Sequence, residues 1–235
     1  GYLRWAQIVN EVDGWLLWED GRETATFVSI INTAYEAVKA VNPELQTVLH
    51  VAECENTKWL TDYFDTLQVA GAQWDAIGLS MHVKGSTLEP EALTAKVCEN
   101  VKVLRERYGK PVFIVETGYH NDRQIEGNQW LCDLLVQLMD AGAAGLYYWE
   151  PEMADDYDLG AWNPLTRKPS LSMDAFLGVK HYEPGTAVRG LSMTVGSGQT
   201  EYYTPGGMLI AHPQRGLNIV RHRQDGGVRT FKIYR

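Results

Sequence analysis

Two glutamates stand where a carboxylate could do chemistry. Glu11 follows the apolar run Gln7-Ile8-Val9-Asn10, and Glu116 follows Phe113-Ile114-Val115. A carboxylate directly after a buried parallel strand lies on the rim where α/β barrels carry their catalytic groups. The two are 105 residues apart, the length of three strand–helix units of about 35 residues each. Strands three apart on an eight-strand rim face each other across its mouth. Opposed carboxylates suit glycoside hydrolysis, in which one carboxyl is protonated to release the leaving oxygen while the other is ionised. Environment sets the two apart, a poorly solvated carboxyl staying neutral and one held by donors staying charged. Trp15, Trp18, Trp149 and Trp162 fall near the same rim. Their flat faces would stack on sugar rings, although core packing explains any single one equally well.

The elements that must position these groups follow from the hydrophobic pattern. An apolar run ending at Val9 precedes a loop over residues 10–23. A helix then carries Phe27, Ile30, Ile31, Ala34, Val38 and Val41 at spacings of three and four, ending before Pro43. Thr47-Val48-Leu49-His50-Val51 leads to a helix over about 56–70, and Trp74-Asp75-Ala76-Ile77-Gly78-Leu79-Ser80 to one bearing Leu93, Val97, Val101, Leu104 and Tyr108. Val112-Phe113-Ile114-Val115 precedes a helix with Leu131, Leu134, Leu135 and Leu138 that stops near Gly142. Gly145-Leu146-Tyr147-Tyr148-Trp149 opens a long loop and a short helix over about 170–177. Five strand-then-helix units, with strands too apolar for a wet face, predict a parallel sheet covered on both sides. An open doubly wound sheet and a closed (β/α)8 barrel share this rhythm. No G-x-G-x-x-G and no P-loop follows any strand, which removes the nucleotide-binding signature of the first. The pattern therefore predicts strands four to eight of a (β/α)8 barrel over residues 1–178. The chain opens inside a strand, which predicts that three earlier units precede it.

Composition narrows the function. The 235 residues are 45% hydrophobic and 11% aromatic, which excludes a disordered chain. The net charge of −9 argues against a nucleic-acid partner, and no apolar run approaches the ~18 residues of a membrane span. Cys54, Cys98 and Cys132 are too scattered for a disulfide framework or zinc ribbon and read as buried thiols. Residues 179–235 are net positive, unlike the rest. Asp225-Gly226 lies there between two β-rich runs, Leu217-Asn218-Ile219-Val220 and Val228-Arg229-Thr230-Phe231-Lys232-Ile233. That is a hairpin signal and predicts a small C-terminal β appendage.

Several motifs together resemble glycoside hydrolase family 53, the arabinogalactan endo-β-1,4-galactanases. They are Gln7-Ile8-Val9-Asn10-Glu11, then Gly14-Trp15-Leu16-Leu17-Trp18-Glu19-Asp20-Gly21, Trp74-Asp75-Ala76-Ile77-Gly78-Leu79-Ser80, Lys110-Pro111-Val112-Phe113-Ile114-Val115-Glu116-Thr117-Gly118-Tyr119 and Tyr147-Tyr148-Trp149-Glu150-Pro151-Glu152. They run in family order from residue 5 to about 178. The resemblance implies a retaining (β/α)8 endo-galactanase, N-terminally truncated, acting on β-1,4-galactan of pectin. It implies Glu11 as acid/base and Glu116 as nucleophile, with Asn10, Trp18, His50, His82 and Trp149 as substrate-binding residues. Asn10 would bond the sugar 2-hydroxyl and Trp149 would floor the reacting subsite. His50, at the end of the fifth barrel strand, would support the rim, although on position alone it reads as a satisfied structural histidine.

Departures from the family pattern are also visible. Val9 stands where a glycine is usual, and Ser80-Met81-His82-Val83-Lys84-Gly85 is a shortened loop lacking the family's Pro and Trp. His82 falls where a tyrosine often contacts the nucleophile. No cofactor is implied. Glu152, Asp155, Asp156 and Asp158 could ligate calcium, but their spacing is not an EF-hand and a solvated loop explains them. The resemblance implies a polysaccharide partner and a secreted or cell-surface location, with the signal peptide lost along with the missing N-terminus. The competing readings are another retaining β-glycanase of the same clan, a mannanase or glucanase, and an inactive glycan-binding fragment.

Overall fold

The computed structural model describes residues 3–14, 23–150, 158–162, 166, 168–182, 199–204, 209–214, 217–224 and 227–234. The polypeptide separates into two compact units, Gly1–Tyr182 and Glu183–Arg235.

In the first unit, β1 (Trp5–Gln7), β2 (Gln46–Val51), β3 (Ala76–His82), β4 (Val112–Gly118) and β5 (Gly145–Leu146) form one sheet in chain order, every neighbouring pair parallel. The helices α1 (Thr24–Val41), α2 (Thr57–Val69), α3 (Pro90–Tyr108) and α4 (Gln124–Ala141) connect successive strands. Five parallel strands joined by four α-helices are thus in place, as part of a (β/α) barrel, and the short helix expected after the fifth strand is a 3-10 helix, Leu171–Leu177. Local chemistry marks the ends of three of the four α-helices. Asn56 caps α2 by accepting from the Trp59 backbone N–H at 3.0 Å. Gly109 and Gly142 end α3 and α4 at φ +63° and +78°, a backbone region that favours glycine.

Strand alternation sorts side chains onto two faces. Leu49, Val51, Ile77, Leu79, Met81 and Ile114 join the core shared with the helices, against Ile31, Leu60, Phe64, Val97, Val101, Leu131 and Leu134. The other face carries Trp5, Val48, Ala76, Phe113 and Val115 as a smaller cluster, with the Trp5 and Phe113 rings edge-on at 4.8 Å. Gly78 belongs to this layer. A Cβ there would meet both Val115 γ-carbons at 2.9 Å and Val48 Cγ1 at 3.0 Å, so glycine is what lets β2 and β4 side chains close over β3.

Above that layer the same face turns polar, through His50, Ser80, His82 and Glu116. The register between β3 and β4 slips there, with Leu79 opposite Ile114 but Ser80 opposite Glu116. The extra residue is Val115. A bulge of this kind breaks the alternation, so Val115 packs into the inner cluster while Glu116, its direct neighbour, reaches His82 on the same side. β5 is shorter than the apolar run suggests. Beyond it the chain still follows β4 through Tyr147 N–H to Ile114 O at 2.9 Å and Trp149 N–H to Thr117 O at 2.8 Å, and these bonds carry Trp149 to the rim.

The second unit contains a four-stranded antiparallel sheet in the order β7 (Leu209–Ile210), β6 (Gln199–Tyr203), β8 (Leu217–Gln224), β9 (Gly227–Tyr234). The hairpin expected around Asp225-Gly226 is β8–β9, closed by the pair Gln224 and Gly227. Among the described residues no helix is long and apolar enough to cross a membrane. Cys54 and Cys98 are buried free thiols and Cys132 is a partly buried one.

Candidate active site

Glu11, His82 and Glu116 come together at the C-terminal ends of β1, β3 and β4, with one ligand atom from each lying within 4.8 Å of the others. The two carboxylates, 105 residues apart in the chain, therefore share one spot. Glu116 keeps 12% of its side-chain surface exposed and His82 13%, so both are largely buried yet still reach the surface. His82 Nε2 lies 3.3 Å from Glu116 Oε2, and its ring meets Trp149 edge-on at 5.9 Å. His82 links the carboxylate to the aromatic wall.

Glu11 is held from the other side. Its backbone has φ +42°, a left-handed conformation that costs a side-chain-bearing residue of order 1–3 kcal/mol and persists only where the surroundings impose it. They do so here. The Val12 N–H donates to His50 O at 3.0 Å and the Val12 side chain is buried. Asp13 accepts from the Ala52 and Glu53 N–H groups at 2.7 and 3.0 Å. Burial raises the Asp13 pKa, and these two backbone bonds oppose that rise. The loop after β1 is thereby clamped to the end of β2, with Glu11 at its turn.

Ser80 donates to Glu11 Oε1 at 2.7 Å, and Ser80 Oγ lies 2.7 Å from His50 Nε2. The other His50 nitrogen, Nδ1, is 3.0 Å from Gln7 Nε2, and Gln7 also donates to Asn10 Oδ1 at 3.2 Å. That bond commits the Asn10 carbonyl oxygen and leaves its amide nitrogen as the donor end. The Asn10 side chain is exposed. His50 is fully buried, so its ring meets its protein neighbours and not solvent. Trp18 and Trp15 lie outside the described residues. Three residues of this constellation, Gln7, Asp13 and Ser80, went unread in the sequence. A polar side chain inside a buried strand, two positions before His82, was the available signal for Ser80.

Burial holds the His50 imidazole neutral, bringing its pKa from 6.5 down to about 4; Glu116 pulls the other way, and His82 assists the burial. Because the folded pKa lies below the unfolded one, the unfolded chain binds the extra proton between pH 6.5 and 4, and stability falls as pH drops through that window. The loss at His50 is about 3 kcal/mol in all. Urea unfolding at pH 7 and pH 4 should show a smaller acid loss in His50→Gln than in the parent by about that amount.

The acidic stretch after β5 is only partly described. Glu152, Asp155 and Asp156 lie outside the described residues. Asp158 stands with His120, whose Nδ1 is 3.2 Å from its Oδ2, and with Asp122. Calcium takes six to eight oxygen ligands. Among the described residues, His120, Asp122 and Asp158 each bring one ligand atom within 4.8 Å of the others.

The profile of Glycosyl hydrolase family 53 matches residues 2–166. An arabinogalactan endo-β-1,4-galactanase of Cellvibrio japonicus is 30% identical over 154 residues, 55% of this chain and 39% of the relative. A probable arabinogalactan endo-β-1,4-galactanase A of Neosartorya fischeri is 25% identical over 181 residues, 66% of this chain and 50% of the relative. Among solved structures, the GH53 catalytic domain of Ignisphaera aggregans superposes with a TM-score of 0.61 at 22% identity, over 76% of this chain and 59% of that one. That likeness shows the fold. The chain spans about half the length of the curated relatives it matches.

Proposed function

Since the chain belongs to glycosyl hydrolase family 53, we propose that the protein is a retaining endo-glycosidase cleaving β-1,4-galactosidic linkages in the galactan of pectin. The observation that carries the reading is the convergence of Glu11 and Glu116, with carboxylate oxygens within 4.8 Å. Retaining enzymes hold their two carboxyl groups about 5–5.5 Å apart, whereas inverting ones leave about 6.5–9.5 Å for a water. Glu116 attacks the anomeric carbon while Glu11 gives its proton to the departing glycosidic oxygen. The galactosyl–Glu116 ester then meets a water whose proton Glu11 takes, and β-configured product leaves. His82 steadies the nucleophile, Trp149 stacks on the reacting sugar, and Asn10 offers its amide N–H to a ring hydroxyl. The reaction calls for no cofactor. A polymer that does not cross membranes places the work outside the cell.

The test is release of reducing ends by the full-length protein from β-1,4-galactan, β-mannan and cellulose, with the first-formed anomer read by proton NMR. Galactan alone should be cut, and the β anomer should appear first. Cleavage of mannan with galactan untouched would move the protein to another glycanase specificity, and α anomer would remove the double displacement.

A further inference from the structure

We propose that Ser80 and His50 form a one-way hydrogen-bond relay that hands a fixed donor to Glu11 Oε1, so that the proton delivered to the leaving group sits on Oε2. This rests on Glu11 being the acid/base. The direction follows from counting hydrogens. Two groups approach His50 Nδ1 as donors, Gln7 Nε2 at 3.0 Å and the Glu11 backbone N–H at 3.5 Å. The second is main chain and cannot reverse its role. Nδ1 therefore accepts, and in a neutral imidazole the single N–H must then be on Nε2. Glu116 Oε1, at 4.0 Å from Nδ1, is beyond hydrogen-bond reach and does not hold a proton there. The Nε2–H points at Ser80 Oγ, 2.7 Å away. Ser80 has one hydrogen and spends it on Glu11 Oε1, also at 2.7 Å.

Every member is placed by the fold. His50 and Ser80 lie on the same face of adjacent strands, and their side chains are buried with exposures of 0% and 4%. The pairing of His50 with Gly78 sets the imidazole one residue pair below Ser80 on β3. With burial keeping His50 neutral, the relay has one orientation at neutral pH. A carboxyl that accepts at Oε1 is poorly disposed to be protonated on that oxygen. Its proton resides on the other oxygen, which turns a two-fold choice into one productive acid. Ser80 and His50 are positioning residues, since neither touches substrate.

Two measurements decide it. In the full-length protein, nitrogen-15 shifts at pH 7 should report His50 as the Nε2–H tautomer, with Nδ1 unprotonated; an Nδ1–H tautomer overturns the relay. The second is kcat/KM for aryl β-galactobiosides, which reads the first chemical step. Ser80→Ala should lose about 10- to 100-fold with a poorly activated phenol, less than the full general-acid effect, and under about 3-fold with dinitrophenol, which departs without an acid. Ser80→Thr, which keeps the hydroxyl, should restore most of the loss. Equal losses on both leaving groups overturn the relay. Glu11→Ala in the same series separates the two failures. If it discriminates between leaving groups and Ser80→Ala does not, the relay fails alone. If it does not discriminate, the acid/base reading fails and takes the relay with it.

Discussion

Replacing Glu116 by alanine should lower galactan hydrolysis on the order of 10⁵-fold, the scale of losing a nucleophile that forms the covalent intermediate. The loss should be chemical and not structural. Glu116 lies at the rim end of β4 with part of its side chain exposed, and its removal should open space at the rim without disturbing Ile114 or the helical core. The variant should therefore unfold near the parent temperature. Added azide should then restore turnover of an activated aryl glycoside and yield the α-galactosyl azide, because a small anion enters from the face that the carboxylate vacates. Unchanged turnover in Glu116→Ala, or a rescued product of β configuration, would remove Glu116 from the nucleophile's place. Glu116→Gln keeps the shape and the contact with His82 but not the charge, and should be equally inactive.

The order of strands and helices was legible because it rests on long periodic segments. In α3 and α4, Leu93, Val97, Val101 and Leu104, then Leu131, Leu134 and Leu138, mark the buried faces at helical spacing, and Gly142 marks the stop. The convergence of Glu11 and Glu116 followed from unit length, since equal units around a ring put opposite strands face to face. What escaped was set by single-residue events. The slip that turns both Val115 and Glu116 inward leaves no trace in Val112-Phe113-Ile114-Val115-Glu116, which looks the same with or without it. The left-handed turn at Glu11 is equally silent, because Glu is not a residue type that announces positive φ. Ser80 and Gln7 look like polar interruptions in apolar runs until three dimensions bring them to one histidine. β5 shows a further limit. Its apolar run continues through Trp149, but the paired ladder ends at Leu146, and separate backbone bonds to Ile114 and Thr117 hold Tyr147 and Trp149 in place.

Glu11→Ala should cost about 10²- to 10⁴-fold on galactan, the usual contribution of a general acid–base group. The loss should shrink steeply as the leaving group improves. If Glu116 is the nucleophile, a good leaving group should still allow the galactosyl–Glu116 intermediate to form, which would then wait for a base. Azide should relieve that wait and give the β-galactosyl azide, the anomer opposite to that from Glu116→Ala, so that two products from one assay assign the two roles. A second consequence distinguishes a catalytic position from an ordinary one. Glu11 is held at φ +42°, where a Cβ costs roughly 1–2 kcal/mol that glycine escapes. Glu11→Gly and Glu11→Ala remove the same carboxylate and the same bond from Ser80. The glycine variant should nevertheless be the more stable by about 1 kcal/mol in urea unfolding, after glycine's greater chain entropy is counted. Equal stability of the two would mean that the turn relaxes in solution. The strain would then have no part in aiming the acid at the linkage it cuts.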